Sequence, residues 1–136
     1  MLGSLFHKVQ LTVDFTLSQV LQKAAVGVLF LVAAVYPTFS YGDEPAKWVE
    51  DVKGAKQLRE STDRHREAQW LRLEEIAGDP WFLGAKMTAV DLYLAVMTRW
   101  RPGRKWFAAK TPKLLAISQK ASATPGVADV MERNFG

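Results

Sequence analysis

The apolar positions change period along the chain, and each change marks an element. Val9, Leu11, Val13 and Phe15 alternate with Gln10, Thr12 and Asp14, the period-two pattern of a half-buried strand. Residues 1–15 therefore read as a short N-terminal strand or arm. Thr16-Leu17-Ser18-Gln19 then has the spacing of a capping box, in which two side chains serve each other's free backbone N–H groups. It predicts a helix running to about Tyr36. Pro37 is expected to end that helix, because proline lacks the amide hydrogen and disfavours helical geometry in the residue before it. Residues 37–54 carry Gly42, Asp43, Pro45 and Gly54 and read as a loop with at most one helical turn near 46–49.

Further on, Ala55, Leu58, Thr62, His65, Gln69, Leu73 and Ile76 fall on one stripe at helical spacing, with Arg64, Arg66, Glu67, Glu74 and Glu75 opposite. This predicts a long amphipathic helix over 55–77, stopped by Gly78-Asp79-Pro80. After the apolar loop Trp81–Gly84 comes a second capping box, Thr88-Ala89-Val90-Asp91, with Met87 and Leu92 placed as a hydrophobic staple across it. The helix it opens, Ala89 to about Trp100, is apolar almost all round and is expected to be central and buried. Arg101-Pro102-Gly103 ends it. Thr111-Pro112 and Thr124-Pro125 mark two further starts, each a hydroxyl ahead of a proline suited to the first helical position. The predicted fold class is all-α, a helical bundle over 16–136 with the arm 1–15 in front.

Composition narrows the function classes. The chain has 136 residues and no cysteine, which suits one domain without disulfides or thiolate metal sites. The longest apolar run, residues 24–36, is too short to span a membrane. It lies too far into the chain, behind Lys8, Asp14 and Lys23, for a signal peptide. A cytoplasmic protein without a membrane partner is expected. With His7 and His65 as the only histidines no metal site is expected, and His65 reads as a packed histidine. No nucleophile elbow or phosphate-cradling glycine loop is present, so no catalytic residue is assigned. The run Thr98–Phe107 interleaves cations with aromatics, a composition able to stack bases. A net charge of +4 is small for a dedicated nucleic-acid binder, and cations are equally at home after a helix C-terminus.

The segment Phe82-Leu83-Gly84-Ala85-Lys86-Met87-Thr88-Ala89-Val90-Asp91-Leu92-Tyr93 resembles the signature of the glutathione S-transferase C-terminal domain. There a Leu-x-Gly turn precedes a Ser/Thr-x-x-Asp box that opens the central helix; here the match is to Leu83, Gly84, Thr88 and Asp91. Pro112-x-Leu114 and Pro125-x-Val127 are similar to the starts of the family's last two helices. Residues 24–43 and the long helix after them are similar to two earlier ones. The resemblance spans about residues 20–136.

What it implies is the helical half that forms the hydrophobic second-substrate site, with Tyr36, Thr38, Phe39, Tyr41 and Trp100 as pocket residues and a hydrophobic small molecule as ligand. The family binds glutathione on a thioredoxin-like domain that residues 1–23 cannot form. Glutathione is therefore expected only where such a domain is supplied, and the isolated chain is expected not to be catalytic. A homodimer is expected to cover the surface that this domain otherwise covers. The alternative is a non-catalytic protein–protein interaction module built on the same helices.

Overall fold

In the computed structural model of the chain, which describes residues 19–136, Pro37 lies inside helix α1, Gln19–Asp43. The expectation that it ends the helix is corrected, and the reason is local. Residues Leu31–Val35 form a π-helical turn in which the Tyr36 amide donates to the Leu31 carbonyl, five residues back. Such a turn widens the backbone ladder, at the place where a proline ring would otherwise meet the carbonyl four residues before it. The expected strand at 9–15 lies outside the described residues, as do the first three residues of the capping box at 16–19. Among the described residues α1 is the one helix long and apolar enough to cross a membrane by length and composition. Its second half, however, buries Leu31, Val35 and Phe39 in the core.

A 3-10 turn, Pro45–Lys47, takes the place of the expected loop turn. Helix α2, Val52–Ile76, is opened by Asp51, whose carboxylate accepts from the Gly54 amide at 2.9 Å. Its buried face is turned by about one residue from the expected stripe. Arg66, Gln69, Trp70 and Leu73 are buried, whereas His65 and Ile76 are exposed. Gln69 and Leu73 stay on the buried face, and Trp70, with more apolar area than any residue of the expected stripe, joins them, so apolar area removed from water sets the rotation. Helices α1 and α2 pass closely enough that a Cβ on Gly42 would overlap the Thr62 hydroxyl.

Helix α3, Ala89–Met97, buries Val90, Asp91, Leu94, Ala95 and Met97. Leu92 and Tyr93 face outward, so α3 is central but two-faced rather than buried all round. Met87 packs instead in a second cluster with Ala95, Ala121 and Met131. Asp91 is fully buried. Its Oδ2 accepts from the Thr88 amide at 2.6 Å and from the Thr88 hydroxyl at 3.1 Å, and its Oδ1 accepts from the Phe82 amide at 2.8 Å. One carboxylate thus ties the Trp81–Gly84 turn to the start of α3.

Sequence reasoning missed α4, Arg104–Lys110, which is only seven residues long and opens on Gly103 at φ +96°. Helix α5, Pro112–Ser122, does begin with its proline, but Thr111 does not cap it. The Thr111 hydroxyl donates back to the Phe107 carbonyl at 3.4 Å. The free amides of Lys113 and Leu114 donate to the two oxygens of Glu74, both at 3.0 Å, so a carboxylate from α2 caps α5 across the bundle. Helix α6, Val127–Phe135, starts after Gly126 at φ +83°. Pro125 precedes it, and the Thr124 carbonyl accepts from Val127 and Ala128.

The described residues form an all-α bundle. They contain no strand, only an isolated bridge between Trp81 and Gly84. The main core joins α1, α2, α3, α4 and α5 around Leu31, Trp70, Leu94, Phe107 and Leu114. A buried hydrogen bond between the Thr98 and Ser118 hydroxyls, 2.6 Å long, joins the end of α3 to α5. Two substitutions check these links. Asp91→Ala strands the Phe82 and Thr88 amides and should lower stability by about 2 kcal/mol; Glu74→Ala removes the cap of α5 and should lower it by about 1 kcal/mol. Both are read from denaturant midpoints.

Candidate ligand site

Because α1 continues past Pro37, Tyr36, Phe39, Ser40 and Asp43 share one face at positions i, i+3, i+4 and i+7. Trp100 comes to that face from the turn after α3. The Trp100 amide donates to the Met97 carbonyl at 3.2 Å and its own carbonyl accepts from Gly103 at 2.9 Å, which holds the indole in a fixed turn. The rings meet edge to face: Tyr36 and Trp100 have centroids 6.1 Å apart, Phe39 and Trp100 5.2 Å apart. Between them opens a cavity of about 350 Å3, lined by Tyr36, Phe39, Ser40, Asp43, Glu44 and Trp100.

Behind Phe39 stands a cluster of charge. The Arg66 side chain is 1% exposed, its guanidinium carbon lies 4.1 Å from the Phe39 ring centroid, and its Nη2 pairs with Asp63. Its Nη1 is buried without a partner. Burial holds this guanidinium below its ordinary pKa, with the Asp63 charge pulling the other way. Arg101 bridges the two helices, donating to Asp63 at 3.3 Å through Nη1 and to Asp43 through Nη2. A second cavity of about 250 Å3, lined by Asp63, Arg66, Glu67, Arg101 and Pro102, opens beside this bridge.

Of the five pocket residues expected from sequence, the fold brings Tyr36, Phe39 and Trp100 together and sends Thr38 and Tyr41 elsewhere. Those two line a separate groove between α1 and α2 with His65 and Thr62. Thr38 is buried and donates to the Val35 carbonyl at 2.6 Å, and Tyr41 packs edge to face on Trp48 at 4.9 Å. Ser40, Asp43 and Glu44 were missed. Helical spacing from Tyr36 would have found Ser40 and Asp43 had the helix not been ended at Pro37.

Other expected features also take definite places. His65 is exposed rather than packed, with its Nε2 3.3 Å from the Gln69 side-chain nitrogen. No cluster of three or more His, Asp or Glu side chains suited to a metal occurs among the described residues. The basic aromatic run is largely engaged: Trp106 packs on Phe107 at 5.4 Å, the Arg99 guanidinium lies 4.9 Å from the Phe135 ring centroid, and Arg101 is ion-paired.

The helical fold and one sequence comparison support a glutathione S-transferase-like family. Over 108 residues the chain is 32% identical to the "Uncharacterized GST-like protein YncG" of Escherichia coli (strain K12), a match that covers 79% of this chain and 52% of that one. The chain thus spans about half the length of this curated relative. No family model and no solved structure matches it.

The charge cluster generates a signed prediction. Asp63→Ala leaves Arg66 buried without its counter-ion and should lower stability by about 2 kcal/mol, a figure reduced for the partial exposure of Asp63. Replacing the cation by an apolar chain of similar length, Arg66→Met, should cost less, within about 1 kcal/mol. Urea midpoints of the two variants give the order.

Proposed function

We propose that residues 19–136 are the helical, ligand-binding part of a glutathione S-transferase-like protein, and that the cavity between α1 and Trp100 takes a small molecule with a hydrophobic body. The observation that supports this most is the convergence of Tyr36 and Phe39 with Trp100, about sixty positions further along the chain, on one cavity of about 350 Å3. That volume suits a small organic ligand, and aromatic walls with a few polar groups are the usual lining of such sites. Tyr36 supplies a hydroxyl at the rim, being half exposed. Thr38 and Tyr41 have no part in this pocket. On this reading glutathione chemistry belongs to a thioredoxin-like domain, and the protein works in the cytoplasm.

Two outcomes are expected in calorimetry on the full chain. A naphthalene-sized neutral probe should bind, and Trp100→Ala should weaken it about tenfold by removing one aromatic wall; glutathione should give no heat. Equal binding by wild type and the Trp100 variant would sink the cavity reading, and a micromolar glutathione signal would sink the assignment of glutathione binding to another domain.

A second reading concerns association. Leu21, Val26 and Leu29 on α1 are 62%, 65% and 64% exposed, and a groove of about 450 Å3 with Val26, Phe30, Leu73, Ile76 and Phe82 in its walls runs beside them. Apolar surface gathered in this way marks a protein contact, and a twofold homodimer is the commonest form. Light scattering at micromolar concentration should give a mass above that of the 15.2 kDa chain; a monomer unchanged on tenfold concentration would overturn this reading and leave the cavity untouched.

A further inference from the structure

We propose that the cavity selects a cationic ligand, an organic amine or quaternary ammonium whose charge lies among the Tyr36, Phe39 and Trp100 rings and faces the Asp43 and Glu44 carboxylates. This rests on the reading of the cavity as a ligand site and names the class of molecule that enters it.

The lining residues carry three aromatic rings, the hydroxyls of Tyr36 and Ser40 and two carboxylates, and none of them is a cation. Trp100 is inclined at 63° to Tyr36 and at 79° to Phe39, so the rings form the walls of a corner rather than a stack. Aromatic faces carry negative quadrupole density, which attracts ammonium and guanidinium groups. One of these rings already holds a cation on its core side, the Arg66 guanidinium carbon lying 4.1 Å from the Phe39 centroid.

The two carboxylates add charge of the same sense. Asp43 pairs through Oδ1 with Arg101, and Glu44 pairs through Oε2 with Lys47. Arg101 and Lys47 stand outside the cavity lining, and each pair engages one carboxylate oxygen. Arg66 is the opposing charge. It lies behind the Phe39 ring and is compensated by Asp63, whereas Asp43 and Glu44 are themselves lining residues of the cavity. An anion placed there would face both carboxylates with no guanidinium in the wall to receive it.

Three probes with a common naphthylmethyl group and different charge separate the possibilities by calorimetry on the full chain at low salt and pH 7: 1-naphthylmethylammonium, 1-naphthylmethanol and 1-naphthylacetate. The ammonium should bind about tenfold tighter than the alcohol, and the alcohol tighter than the carboxylate. Glu44→Gln, an exposed change away from the Arg101 bridge, should cut the ammonium preference about threefold while leaving the alcohol unchanged. Asp43→Asn should cut it further. Equal binding of ammonium and alcohol overturns the proposal and leaves the cavity as an apolar site. Tightest binding of the carboxylate overturns it in favour of control by Arg66. Binding of none of the three overturns the ligand reading itself.

Discussion

The widened turn at Leu31–Val35 is the feature on which the site depends. By shifting the backbone ladder just before Pro37, it lets α1 run on to Asp43, and the added turns place Tyr36, Phe39, Ser40 and Asp43 on one face. A helix stopped at Pro37 would leave Phe39 and Asp43 in a loop with no common direction. The extension also brings Gly42 against Thr62 and Asp43 within reach of Arg101. The α1 side of the aromatic wall, and Asp43 on its rim, are therefore consequences of one local backbone adjustment. π-helical turns are often found at functional positions, and here the connection is geometric.

Around that helix the bundle is held by polar groups acting between elements rather than within them. Glu74 on α2 caps α5, Asp91 on α3 captures the amide of Phe82 in the preceding turn, and Arg101 reaches from the turn after α3 to carboxylates on both α1 and α2. Charge-assisted hydrogen bonds of this kind are stronger than neutral ones and fix direction as well as distance. They settle how the helices sit relative to one another, which apolar packing of similar side chains leaves less sharply defined.

The likeness to a GST-like protein covers about half of that relative's length, and among the described residues α1 has two contrasting halves. Its inner half is buried among Trp70, Leu94 and Phe107, while Leu21, Val26 and Leu29 stand open. The aromatic cavity lies at the other end of the same helix, near Tyr36–Asp43. One helix thereby carries both the open apolar residues and one wall of the cavity.

Much of the fold was legible in the sequence. Helical periodicity over 55–77, the Thr88–Asp91 spacing and the Pro112 start each follow from local rules of spacing, capping and missing amide hydrogens, and the structure has helices at all three. Three of the five expected pocket residues also converge. What the sequence alone left undecided were choices that depend on partners distant in the chain. The passage through Pro37 is stabilised by the burial of Leu31, Val35 and Phe39 against the rest of the bundle, a gain that no local rule records. The rotation of α2 that buries Arg66 and Trp70 and exposes His65 follows from the neighbours those side chains meet. The cap of α5 comes from Glu74, about forty positions away, rather than from the adjacent Thr111. Thr38 and Tyr41 face a groove other than the one lined by Tyr36 and Phe39 for the same reason: facing direction on a helix is set by where the helix continues, and tertiary packing decided that.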